Sequence, residues 1–240
     1  MIYDTIVIGG GASGLFYSAS DSAPGNKLIL EKGKHFGQKL LLSAQGQCNI
    51  THAGSIKDFI DFYGDKGKTI RSILYKHSNL ELMEFIESRG LKLQTRAGGK
   101  VFPRSMSAKD VLKVLLDATK ENGYEMKTLC QVSSIDPESK TVIVESQGNE
   151  YTYSYKKLII ATGGATYPMT GSDGNFADVL CKDLGVDNID FRPALVPLKV
   201  DKYPYGELTG VSIDKALCSI GKNQVQGPLL FTHKDLSGPS

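Results

Sequence analysis

Residues 2–8 (IYDTIVI) are mostly apolar, with Asp4 inside the run, and 27–31 (KLILE) hold a second apolar core, Leu28–Leu30. Short apolar runs bounded by glycine read as strands buried on both faces. The intervening segment 12–20 reads as a helix. Together they make a βαβ unit of about 30 residues, near the shortest crossover between parallel strands.

Glycine and polar residues fill 33–55, a stretch too long for a simple connection and of the kind that carries function. Helices are expected over about 67–78 and 79–89. Asn79 is the expected N-cap of the second, Leu82, Met83, Phe85 and Ile86 its apolar stripe, and Gly90 its stop. Residues 91–104 read as a short β segment turning at Gly98-Gly99. Ser107 is placed to cap a helix over 108–122, with Val111, Leu112, Leu115 and Leu116 facing inward and Gly123 ending it.

Strands at 126–135, 141–147 and 150–155 suggest a small antiparallel sheet, with turns at Asp136-Pro137 and Gly148-Asn149. Lys157–Ala161 reads as a further strand of the type buried in a parallel sheet. A glycine loop (163–174) and a helix (about 175–184) follow it. Beyond Arg192-Pro193 the pattern changes to short alternating strands with Pro and Gly turns. The expectation is an α/β domain over 1–192 with a parallel central sheet and a small antiparallel sheet, then the start of a β-rich domain over 193–240.

Composition narrows the function classes. A net charge of +2 with no Lys/Arg run argues against nucleic acid as a partner. No stretch approaches the about 20 apolar residues of a membrane helix, and the N-terminus reads as a strand, not a signal peptide. Cys48, Cys130, Cys181 and Cys218 lie at long, irregular spacings, which suggests reduced thiols in a cytoplasmic protein. The histidines show no metal-ligand spacing. Nothing in the sequence reads out the oligomeric state.

The strongest chemical signal is Gly9-Gly10-Gly11-Ala12-Ser13-Gly14, a G-x-G-x-x-G pattern. Alone it is weak, but here a strand precedes it, a helix follows, and a second strand runs to Glu31. Gly9 would permit the tight turn. Gly11 would let the backbone approach a pyrophosphate, and Gly14 would let helix and strand pack closely. Phosphates would then meet the helix N-terminus, where free N–H groups and the dipole favour negative charge. Glu31 is placed to accept from both ribose hydroxyls and to repel a 2′-phosphate. The fingerprint does not separate FAD from NAD. A second motif, Leu158–Gly164 (LIIATGG), favours FAD, because a single-nucleotide NAD dehydrogenase has no evident use for it.

These motifs resemble a family of bacterial flavoproteins that includes aminoacetone oxidase and a bile-acid-dehydroxylation-associated protein. The matching segments are Asp4–Gly14, Glu31-Lys32, Gly37–Thr51, Gly99–Pro103, Ala161–Thr170, Arg192–Leu198 and Gly227–Ser240, in the family's order. The resemblance implies a Rossmann-like fold and FAD as cofactor. It makes Lys32, Lys39, Ser43, Gly46, Cys48, Asn49, Ala161, Thr162, Gly163 and Gly164 cofactor-binding candidates beside Gly9, Gly11, Ala12, Ser13, Gly14 and Glu31. It also places Val132 where the family's backbone contacts adenine.

Two departures stand out. Where the family has Ser-Gly-Gly-Gly-Arg-Cys-Asn, this chain has Ser43-Ala44-Gln45-Gly46-Gln47-Cys48-Asn49, so two glycines and an arginine are replaced. The family also continues beyond residue 240, into a later glycine-rich motif that holds the flavin, so the chain is expected to be a fragment. The implied chemistry is hydride transfer between FAD and a small organic substrate, with the cofactor carrying the hard step. No catalytic acid or base is identified: His52 and Tyr167 lie beside the motifs, but a lone His or Tyr is more often structural. An NAD-dependent dehydrogenase and a non-catalytic dinucleotide-binding module are the alternatives.

Overall fold

A computed structural model describes residues 2–192 and 196–238. It opens with β1 (Ile2–Ile8), α1 (Ala12–Ser20) and β2 (Lys27–Leu30). Next come α2 (Gln38–Leu42), β3 (Thr51–His52), α3 (Ile56–Phe62), α4 (Gly67–Lys76) and α5 (Asn79–Ser88). β4 (Leu93–Thr95), β5 (Lys100–Pro103), α6 (Ala108–Glu121) and β6 (Tyr124–Lys127) follow. β7 (Gln131–Asp136), β8 (Thr141–Ser146), β9 (Asn149–Ile160) and α7 (Phe176–Leu184) lead to β10 (Leu198–Lys199), β11 (Ser212–Ile220), β12 (Asn223–Phe231) and β13 (Asp235–Ser237).

The chain divides into two compact units, Met1–Ile189 and Asp190–Ser240. In the first, a six-stranded sheet runs in the order β6-β2-β1-β9-β8-β7. β6, β2, β1 and β9 are mutually parallel, and β8 and β7 are antiparallel additions. β9 makes the change of direction by itself. Its residues Asn149–Ser154 pair antiparallel with β8, and Ser154–Ile160 pair parallel with β1. The strands expected at 150–155 and 157–161 are therefore one. β3, β5 and β4 form a separate small antiparallel sheet.

Alternation sorts the core onto two faces. Ile6, Ile8, Leu28 and Leu30 pack with Val132, Val142 and Val144, and α7 adds Phe176 and Val179. On the opposite face Val7 and Ile29 pack with Leu15 of α1 and Leu112 and Leu115 of α6. Lys27 is buried at the start of β2, and its ammonium donates to the carbonyls of Asp21 and Ala23 at 2.8 and 2.7 Å. That pairing lets a charged side chain sit at a core edge.

Three local expectations change. The apolar pattern of 126–135 spans two strands at opposite edges of the sheet, β6 and β7, broken where Leu129 takes a left-handed φ of 57°. The N-cap of α5 is Ser78, which forms a reciprocal capping box with Glu81. Asn79 is instead buried, donating to the carbonyls of His52 and Gly54 at 2.7 and 3.1 Å. Finally, α2 and α3 occupy ground read as loop or left unassigned, because helices of 5 and 7 residues are too short to display a period.

The second unit is an antiparallel sheet in the order β10-β13-β12-β11, with an irregularity in the β11–β12 register between Ile213 and Ala216. The boundary expected at 192/193 adjoins residues 193–195, which lie outside the described residues.

Candidate dinucleotide cleft

The cleft begins where β1 turns into α1. Gly9 has φ +103°, a conformation that disfavours any side chain, and a Cβ there would lie 2.4 Å from the Ala161 carbonyl oxygen. The Ala161 N–H donates back to Ile8 O at 2.8 Å. The two glycine motifs, far apart in sequence, thus meet backbone to backbone. A Cβ on Gly14 would lie 1.9 Å from the Gly9 carbonyl oxygen, so α1 seats on the strand end only without one. Gly11 is the exception: a Cβ there would meet nothing within 4 Å.

Gly11 is also the N-cap of α1, and no side chain caps this end. The first-turn amides therefore lack side-chain acceptors and face the open space above Gly11. A cleft of about 540 Å³ lies there. Its floor is Ile8–Ser13. One wall is Leu30–Lys32 with the α2 region (Gly37–Leu40 and Ser43); the others are Cys130–Ser133, Ala161–Gly163 and the Thr170–Phe176 segment.

Glu31 fixes one end of this cleft. Its Oε2 accepts from the Gly10 N–H at 2.8 Å and its Oε1 from the Gly33 N–H at 2.6 Å. The carboxylate thus points at the glycine turn, and each oxygen keeps a free lone pair. Gly10 is also spoken for, because a Cβ there would enter the Phe36 ring at 2.2 Å. Lys32 reaches across to the Asp173 carboxylate, Nζ to Oδ2 at 2.8 Å. That ammonium holds the Asp173 carboxyl below the usual carboxylate range.

The structure gathers Gly9, Gly11, Ala12, Ser13, Glu31, Lys32, Lys39, Ser43, Val132, Ala161, Thr162 and Gly163 around one cleft. Gly14, Gly46, Cys48, Asn49 and Gly164 are not in its lining. Gly14 acts beneath it, through helix packing. Cys48 is 2% exposed, among Ile86, Leu93 and Val101. Burial pushes its thiol up from the usual cysteine range, which disfavours the thiolate. Asn49 is exposed, and in the amide orientation that satisfies its neighbours it donates to Thr51 O and Val101 O at 3.0 and 3.2 Å. Ser43 donates to Leu40 O at 2.6 Å.

His52 is a structural link: Nδ1 accepts from the Gly54 N–H at 2.9 Å, which leaves Nε2 to donate to Gly98 O at 2.7 Å. Tyr167 is exposed with a left-handed φ of 57°, and it is not in the cleft lining. Sequence reasoning missed Asp173 and its neighbours Gly171 and Ser172. The signal in the sequence is the glycine density of 163–174, a loop pattern that does not single out Asp173.

These features fit a dinucleotide: open space over Gly11, uncapped helix amides for a diphosphate, and a carboxylate at the end of β2. Among the described residues no helix is long and apolar enough to cross a membrane, and no cluster of metal-ligating side chains occurs.

Comparison with known proteins agrees with this geometry. The chain is 29% identical over 239 residues to 3-dehydro-bile acid delta(4,6)-reductase of Clostridium scindens, covering 97% of this chain and 57% of that protein. It is 26% identical over 245 residues to ribosomal RNA dihydrouridine synthase of Escherichia coli, covering 99% and 59%. The chain thus spans somewhat over half the length of these relatives. Among solved structures, a flavocytochrome c3 fumarate reductase in its open conformation shares the fold at TM-score 0.63 and 19% identity, over 89% of this chain and 47% of that one. The 3-ketosteroid-delta4-(5alpha)-dehydrogenase of Rhodococcus jostii RHA1 does so at 0.60 and 14%, over 78% and 54%. Residues 192–240 match the HI0933-like barrel and H2TH domain. Residues 3–212 match the HI0933-like Rossmann domain, and the chain belongs to this family of FAD-binding Rossmann proteins.

Proposed function

We propose that this chain forms the FAD-holding part of a flavoprotein oxidoreductase that moves hydride between FAD and a small organic substrate. One observation carries the reading: the glycine turn, the uncapped start of α1 and the Glu31 carboxylate converge on a single cleft. When bound, FAD supplies the hydride chemistry. The first-turn amides of α1 hold the diphosphate, and Glu31 accepts from the ribose hydroxyls. The backbone around Val132 borders the adenine, Ala161–Gly163 presses on the glycine turn, and Lys39 and Ser43 line the side toward α2.

The bile acid reductase named above supports the oxidoreductase reading. We place the protein in the cytoplasm on the strength of its four free cysteines. A domain boundary near residue 192 follows the change of pattern there. A net charge of +2 supports a small organic substrate over RNA.

The purified chain is expected to be yellow and, after denaturation, to release FAD into the supernatant, identified by its fluorescence and chromatographic mobility. A colourless protein that binds NAD would sink the reading. Titration with ribosomal RNA separates the substrate classes: tight, salt-sensitive RNA binding would replace the small-molecule substrate with RNA and leave the cofactor assignment standing.

A further inference from the structure

We infer that Asp173 is a specificity-determining residue at the adenosine end of the cleft: it holds Lys32 across the opening and cancels its charge, so the site retains a nucleotide with free ribose hydroxyls and disfavours one with a phosphorylated ribose. The inference rests on the dinucleotide reading above and adds to it a residue outside the glycine fingerprint.

Lys32 and Glu31 both border the corner at Gly171, so a group bound by the Glu31 carboxylate lies near the Lys32 side chain. Unpaired, that ammonium would be a good partner for a ribose phosphate. Asp173 takes this role away. Its Oδ2 holds Lys32 Nζ at 2.8 Å, while its Oδ1 accepts from the Asn175 N–H at 3.2 Å, at the start of α7. The carboxylate is therefore fixed on both sides. The loop is tight against the same corner: a Cβ on Gly171, where φ is +94°, would lie 3.4 Å from Lys32 Cε and 3.8 Å from Glu31 Oε1. Two carboxylates and one ammonium leave this corner with a formal charge of −1 (−2 + 1), which repels a further anion.

The pair also bridges two segments of distant sequence, the end of β2 and the loop that leads into α7. Both line the cleft. Breaking the ion pair releases one wall from the other, so a bound dinucleotide should leave faster. Lys32 and Asp173 are about one-third exposed, at 34% and 36%, so salt screens the pair and release should quicken with ionic strength.

The test uses the whole chain in four forms: wild type, Asp173→Asn, Lys32→Met, and the charge swap Lys32→Asp with Asp173→Lys. FAD release after dilution is followed by flavin fluorescence at low and high salt. Separately, ADP and adenosine 2′,5′-bisphosphate compete for the empty cleft. Asp173→Asn should release FAD about fivefold faster, with the salt effect gone, and should shift preference about threefold or more toward the bisphosphate, as expected for an exposed pair of about 1 kcal/mol. Lys32→Met should also speed release without gaining affinity for the bisphosphate, and the swap should slow release again. Unfolding midpoints show that each variant is folded. Wild-type retention and preference in a folded Asp173→Asn protein would overturn the inference and leave the cofactor assignment intact. A wild-type chain that holds neither FAD nor ADP would sink the dinucleotide reading itself, and the inference with it.

Discussion

Ala44 and Gln45 stand in left-handed backbone, at φ 47° and 56°, between α2 and β3. The resembled family carries glycine at both positions, and this chain keeps the backbone while adding side chains. A left-handed non-glycine residue costs about 1–2 kcal/mol, of which about 0.4–1 is offset by the lower entropy of its unfolded chain. Ala44→Gly and Gln45→Gly should therefore each stabilise the protein by about 0.5–1 kcal/mol in urea unfolding, a reversal of the usual penalty for adding glycine. Gly14→Ala should act the other way. Its methyl would meet the Gly9 carbonyl, and the overpacking should cost about 1–3 kcal/mol and weaken FAD retention. The roles of Gly9 and Gly14 were legible in sequence because the fingerprint's spacing is set by backbone contacts. Asp173 was not legible, since nothing local to it announces that it faces Lys32 across a gap of 141 residues.

At the level of elements, one carboxylate adds polar ties between α7 and the sheet to the packing of Phe176 and Val179. Asp183 Oδ2 accepts from the Ile135 N–H at 2.7 Å and from Ser134 Oγ at 2.9 Å, and the backbone bond above all lowers its pKa. A depressed carboxylate stabilises the fold above its unfolded pKa of about 4, and that contribution fades as pH falls through the folded value. Asp183→Asn should lower stability by about 1 kcal/mol at neutral pH, and the difference from wild type should vanish in acid. Denaturant melts of both proteins at pH 7 and at low pH check this. Element types were largely readable from periodicity, including β1, α1, β2 and α6. What escaped were joins and breaks. The pattern reads as one strand over 126–135 although the chain changes sheet edge there. At 150–161 it reads as two strands although the chain continues straight.

For the whole molecule, the two units differ in how much they bury. The fully buried side chains lie in the first unit; among the described residues, none from 190 onward is buried. A sheet whose described side chains are all at least partly exposed has little hydrophobic stabilisation to hold its hydrogen bonds closed. Amides of β11 and β12 should thus exchange with deuterium well before those of β1 and β2, by mass spectrometry of peptides from the folded chain. Equal protection of both sheets would contradict this. The α/β class was readable from the order of elements, but the strand order β6-β2-β1-β9-β8-β7 was not, because it depends on pairings between residues more than 100 positions apart.

The double pairing of β9 carries a consequence for which sequence changes the molecule can absorb. A single inserted residue near Ser154 would rotate everything after it to the wrong side, turning Leu158 outward and misaligning Ala161 against Gly9. The same insertion at the Gln147-Gly148 bend would merely lengthen a hairpin tip. Length variation among natural versions of this chain should accumulate at that tip and be absent from the straight run that follows it.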